Sequence, residues 1–90
     1  MNEVIIRPVG GVVGAGSPGG HVQNEGRVAW SALPEADRAR LTTLFANPKV
    51  VSANFKYVIV GVGPTGQTTT DALPDEVPAV LVAAIRSVLR

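Results

Sequence analysis

Asn54-Phe55-Lys56-Tyr57-Val58-Ile59-Val60 is the stretch whose reading decides the fold. Phe55, Tyr57 and Ile59 alternate onto one face of an extended chain, while Val58 and Val60 make the other face apolar too. A strand with two apolar faces predicts a central position in a sheet. Just downstream, Gly63-Pro64-Thr65-Gly66 puts Pro and Gly where a type I turn favours them, and Gln67-Thr68-Thr69-Thr70 returns as a polar, β-branched edge strand.

Working outward, Val4 to Val9 is β-branched and extended in character, and Gly10 to Gly20 is too glycine-rich to hold a helix or a central strand. His21 to Trp30 becomes apolar at Val28-Ala29-Trp30 and is expected to return as a second strand, closing a long-looped hairpin. At Ser31-Ala32-Leu33-Pro34-Glu35 the texture changes. Pro is tolerated in a first helical turn, Ser31 is placed to cap it, and Glu35 and Asp37 suit its positive end. Leu41, Leu44 and Phe45 then share one face and Asn47-Pro48 stops the helix, predicting a span from Pro34 to Ala46. From Asp71-Ala72-Leu73-Pro74-Asp75 a last helix is expected, with Val77, Val80, Leu81, Ala84, Ile85, Val88 and Leu89 as a broad apolar stripe ending at Arg90.

Residues forty apart match: Ser31-Ala32-Leu33-Pro34-Glu35 with Asp71-Ala72-Leu73-Pro74-Asp75, Ala39 with Ala79, Leu41 with Leu81. Duplication and shared helix-start chemistry both explain the match. Either way the order is ββαββα, an α+β fold. The expected architecture is a two-layer sandwich of a four-stranded, mainly antiparallel sheet with two helices on one face, and the two hairpin loops at opposite ends.

The 90 residues suit a single domain, and 46% hydrophobic with 17% charged residues is the balance of a folded chain. There is no cysteine, so disulfides, thiolate metal sites and a cysteine nucleophile are excluded. The net charge of +1 arises from 8 basic and 7 acidic residues spread along the chain, without the basic face that nucleic acid requires. Met1 to Pro8 resembles neither a signal peptide nor a membrane span, which leads us to expect a cytoplasmic protein, with export by a signal-independent route left open, and no membrane partner.

Gly14-Ala15-Gly16-Ser17-Pro18-Gly19 spells G-x-G-x-x-G, but Gly20-His21-Val22-Gln23 does not follow as a helix, so the dinucleotide context is missing and a loop is the better reading. His21 is the single histidine and does not support a multi-histidine zinc site. Ser17, Ser31, Ser52 and Ser87 lack a nucleophile-elbow setting. Glu35, Asp37, Asp71, Asp75 and Glu76 gather at two helix starts, where capping accounts for carboxylates. Trp30 and Tyr57 are expected in the core or at its edge. These readings point to a non-enzymatic protein without cofactor or metal.

The elements in order are a first strand ending in Gly10-Gly11-Val12-Val13-Gly14, a Leu33-Pro34 helix, Phe55-Lys56-Tyr57-Val58-Ile59-Val60, and Leu73-Pro74 opening an apolar terminal helix. This pattern is similar to the emfourin family of protealysin inhibitors over nearly the whole chain. The loop after Gly14 is longer and richer in Gly and Pro than the family pattern, and Val12 stands where members often carry an aromatic residue. The resemblance implies inhibition of a thermolysin-like zinc metalloprotease, frequently encoded beside its inhibitor in bacteria, by occlusion of the active-site cleft. The expected contact surface is the first loop, with Gly10, Gly11, Val12, Val13, Gly14, Ser17 and Pro18, the two valines as apolar contacts. The protein is expected as a monomer or weak homodimer. Two other readings stay open: a non-catalytic interaction module that self-associates through the terminal helix or an exposed sheet edge, and an enzyme or ligand-binding domain using the glycine loop.

Overall fold

The computed structural model describes residues 1–10 and 22–89. β1 (Glu3–Gly10) pairs on one side with β2 (Val22–Ala29) and on the other with β3 (Phe55–Gly63), which in turn pairs with β4 (Gly66–Ala72). A further strand, β5 (Arg86–Leu89), pairs with β2, giving a five-stranded, wholly antiparallel sheet of order β4-β3-β1-β2-β5. The apolar stretch read first is thus part of β3, flanked by β1 and β4 as its two-faced pattern requires. The Pro64-Thr65 turn lies at the Glu3 end of β1, whereas Gly10 and Val22 lie at the other end, so the two hairpin connections start from opposite ends of the sheet.

One face of the sheet carries the main core. Val4 and Ile6 of β1, Tyr57 and Ile59 of β3 and Ala72 of β4 form one cluster with Leu33, Val77, the helix α1 (Glu35–Ala46) through Leu41 and Phe45, and the short helix α2 (Ala79–Ala83) through Leu81. Ile6, Ile59, Leu41 and Leu81 are wholly inaccessible to solvent, each burial favouring the folded state by about 1.5–3 kcal/mol. Trp30 packs against this cluster half-buried, as its size predicts. On the opposite face Ile5 and Val60, paired across β1 and β3, are also buried.

Helix α1 follows its sequence closely. Leu41 and Phe45 are buried one turn apart with Leu44 beside them, Glu35 and Asp37 occupy the first turn, and Asn47 closes the end by donating its side-chain amide to the Thr43 carbonyl. Its start differs from expectation. Ser31 lies in a 3₁₀ turn (Trp30–Ala32), and the residue at the cap position is Pro34, without a side-chain cap bond. Because Pro34 has an extended ψ of 152°, the helix begins one residue later than predicted.

The larger correction concerns the C-terminal segment. The expected helix from Asp71 is replaced by the end of β4 at Asp71-Ala72, a 3₁₀ turn at Pro74–Glu76, the five-residue α2, and β5. The observed order therefore adds a fifth strand to the expected ββαββα pattern and shortens its second helix. Pro78 is the cause of the break: the residue before a proline is pushed out of the helical region, and Val77 accordingly has φ −93°, ψ 128°. Beyond α2 the chain crosses close to β2 at Gly26, where an added Cβ would stand 2.9 Å from Ile6 Cγ2 and 3.0 Å from the Ala84 carbonyl carbon. Only a residue without a side chain fits that crossing. It is also where β2 changes partner: Gly26 to Ala29 pair with β1, and Val22 to Glu25 with β5.

Candidate functional site

Gly10 ends β1 opposite Phe55 and is the one residue of the expected contact surface that lies within the described chain. Gly11, Val12, Val13, Gly14, Ser17 and Pro18 lie outside the described residues, as does His21. Gly10 has φ +84°, and a Cβ there would stand 2.3 Å from the Asn54 carbonyl oxygen. Both the left-handed backbone and the lack of room demand glycine. The neighbouring Val9 is exposed, and Phe55 and Tyr57 meet edge to face with centroids 5.1 Å apart, so the sheet end beside Gly10 is built on packed aromatic rings.

Asn54, whose carbonyl leaves no room for a side chain at Gly10, follows a segment tied down by polar groups. Lys56 Nζ donates to Asp71 Oδ2 at 2.6 Å and to the Val51 carbonyl at 3.0 Å, and the Val51 N–H donates to the same Asp71 oxygen at 2.9 Å. The Asp71 N–H donates to the Lys49 carbonyl at 3.0 Å, and the Lys49 N–H to Thr70 Oγ1 at 3.1 Å. Lys49 Nζ then reaches both carboxylate oxygens of Glu76, at 2.7 and 2.6 Å, while Glu76 Oε1 accepts the Leu73 N–H. Lys49 and Val51 are in this way fastened to β4, and Lys49 also to the turn that follows it.

The electrostatics agree with the geometry. The Lys56 ammonium, then the Val51 N–H, hold the Asp71 carboxyl below its ordinary range in spite of burial. Lys49, then the Leu73 N–H, do the same for Glu76. Across β1 and β2 a second chain of charges runs on the face opposite the core: Arg7 Nε donates to Glu25 Oε1, Arg27 Nε to Glu25 Oε2, and Arg27 Nη1 to Glu3 Oε1. Arg7 chiefly, with Arg27, lowers the Glu25 pKa against its burial. These carboxylates are held ionised and already engaged, an arrangement suited to fixing structure rather than to passing protons.

Sequence reasoning placed Asp71 at a helix start, where the structure has it buried in β4, facing Lys56 across the sheet. Two signals pointed there. Lys56 is the lone charge in an otherwise apolar and aromatic strand and needs a partner, and Thr68, Thr70 and Ala72 continue a strand-like alternation through Asp71. Glu76 does serve a turn start, through the Leu73 N–H. Ser31 and Ser52 are exposed. An open groove of ≈ 450 Å³ between α1 and the Pro74–Glu76 turn is lined by Ala39, Arg40, Thr43, Leu44, Asp75 and Glu76, none of them an expected contact residue. Among the described residues no cluster of three or more metal-ligating side chains occurs, and no helix is long and apolar enough to cross a membrane. Comparison with protein-family models, with curated proteins and with solved structures finds no match to this chain.

Proposed function

We propose that this chain is a non-enzymatic protein inhibitor of a thermolysin-like zinc metalloprotease of bacterial origin, encountered in the cytoplasm, and that it blocks the protease by occluding its active-site cleft with the segment that begins at Gly10. The observation that carries this reading is the anchoring of Gly10. Its left-handed φ and the lack of room for a side chain beside the Asn54 carbonyl require glycine at the end of β1, and Asn54 lies two residues from Lys56 of the Lys56–Asp71 tie. A binding segment issuing from a fixed base loses less conformational freedom on docking than one issuing from a loose base. The order of the sequence motifs supports the same reading through its resemblance to the emfourin pattern, and the engaged carboxylates suit a scaffold. A surface of about 800 Å² per partner is within reach of a domain this size without any cofactor.

The test is titration of the purified protein against a thermolysin-like protease and, in parallel, a serine protease, with zinc in excess. Stoichiometric loss of the first activity alone is expected. Deleting Ala15 to Gly19, or changing Val12 and Val13 to Asp, should weaken inhibition by at least tenfold while the thermal midpoint stays within a few degrees. A protease that keeps full activity beside saturating protein removes the target, and inhibition untouched by these changes moves the contact surface elsewhere.

A further inference from the structure

On the core face of β3, Tyr57 and Ile59 are followed in the alternation by Gly61, which has no side chain to offer. Met1 and Phe45 fill that space. A Cβ on Gly61 would stand 2.7 Å from Met1 Cε, 2.8 Å from Met1 Sδ and 3.0 Å from Phe45 Cζ. The sulfur and the ring edge therefore lie within about 6 Å of each other, the range of a sulfur–aromatic contact. The backbone beside Met1 is held in place, since the Asn2 N–H donates to the Val62 carbonyl at 2.7 Å and the Asn2 carbonyl accepts the Trp30 N–H at 2.9 Å.

The same thioether faces water on its other side. Met1 is 42% exposed and lines an open groove of ≈ 380 Å³ together with Thr65, Gln67 and Thr68. With one methionine and no cysteine in the chain, it carries the only sulfur. Phe45, by contrast, is buried and belongs to the main core cluster through α1. One oxidisable atom is thus reachable from solvent and packed against the core at once.

We propose that Met1 is an oxidation site whose modification loosens the docking of α1 on the sheet. The oxidant is a peroxide. The sulfur lone pair attacks one peroxide oxygen, the O–O bond breaks, the sulfur is oxidised to a sulfoxide, and the other oxygen leaves reduced, as water when the oxidant is hydrogen peroxide. A sulfoxide oxygen needs hydrogen-bond donors, and the ring edge of Phe45 supplies none. The hydroxyls of Thr65 and Thr68 and the Gln67 amide line the groove instead. The oxidised side chain turns toward these donors and uncovers the Phe45 edge above Gly61. Enzymatic reduction of the sulfoxide restores the contact. Gly61 pairs with Val4 and Thr68, at the end of the sheet away from Gly10, so the proposal does not rest on the inhibitor reading, and protease titration and peroxide sensitivity can fail separately.

The test uses the parent chain and residue-1 variants, each released from a cleavable N-terminal fusion that leaves no extra residue. Mild hydrogen peroxide at neutral pH should add one oxygen to the parent, located on Met1 by fragment masses, and lower its thermal midpoint by about 4–8 °C. Methionine sulfoxide reductases acting on both epimers should restore the midpoint. Met1→Leu keeps the apolar contact without the sulfur, so it should match the untreated parent and hold its midpoint under peroxide. Met1→Gln sets a polar group at the same place and should reproduce the loss without any oxidant. A parent fully oxidised at Met1 with an unchanged midpoint overturns the proposal. So does a Met1 that stays reduced while a free methionine peptide is oxidised, or an equal fall in Met1→Leu under peroxide.

Discussion

The two Ala-Leu-Pro segments, forty residues apart, begin alike and end as different structures. After Leu33-Pro34-Glu35 the chain makes twelve residues of helix. After Leu73-Pro74-Asp75 it makes one 3₁₀ turn, a five-residue helix and a strand. Even the shared leucine is used differently, since Leu33 is 3% exposed in the core and Leu73 is 37% exposed. The decisive difference is the residue at the fourth position after the matched proline: Arg38 in the first segment and Pro78 in the second. Arg38 donates its N–H to the Pro34 carbonyl and carries the helix on, whereas Pro78 has no N–H to give and forces Val77 to be extended. A short sequence match therefore reports a shared start and not a shared fold.

The matched leucines sharpen this comparison most strongly. Leu41 and Leu81 are both wholly buried in one cluster, one on the long helix and one on the short. Leu41→Ala and Leu81→Ala should each lower the stability measured by urea unfolding by about 2–5 kcal/mol. Similar losses would mean that a five-residue helix serves the core as well as a twelve-residue one. A loss below about 1 kcal/mol at Leu81 would show the terminal segment to be loosely attached.

A second experiment would turn one segment into the other. Arg38→Pro removes the bond to the Pro34 carbonyl and sets a proline ring inside α1, which should cost about 3 kcal/mol and lower the helical dichroism signal. Pro78→Ala, where the backbone is already extended and β5 is paired, should change stability by about 1 kcal/mol or less. If the proline variant of α1 is as stable as the parent, Pro78 is not what separates the two segments.

The smallest effect is electrostatic and belongs to the second segment. Asp71 and Glu76 have pKa values lowered in the folded state, first by Lys56 and Lys49 respectively. Their stabilisation is fully present above the unfolded-chain values of about 4 and is lost as the pH falls through the lower folded values. Urea midpoints should accordingly stay level from neutral pH down to about 5 and fall below about 4. Lys56→Met removes the main cause of the Asp71 shift, so the variant should be less stable at neutral pH and its acid decline shallower. A difference from the parent that stays constant across the acid range would mean that the pair is not the source.

Much of this molecule is written in local pattern. The alternation of Phe55, Tyr57 and Ile59 determined a central strand, Leu41, Leu44 and Phe45 determined the buried face of α1, and Gly63 to Gly66 determined the tight turn of the second hairpin. Pro78 carried a signal as well, a helix breaker that biases its neighbour away from the helical region, but the expected terminal helix ran through it. Of the expected contact surface, the glycine requirement at position 10 is legible as a strand end, but its cause, the Asn54 carbonyl, comes from a residue forty-four positions away.

What the tertiary structure alone decided is where the non-local partners lie. Arg86 to Leu89 pairs with Val22 to Glu25, more than sixty residues earlier, and a short apolar run is compatible with helix or strand until such a ladder is offered. Asp71 became a buried strand residue because Lys56 and the Val51 N–H stand across from it. Local propensity senses only neighbours in the chain, while the hydrogen bonds and charges that settle these positions come from elements brought close by the fold.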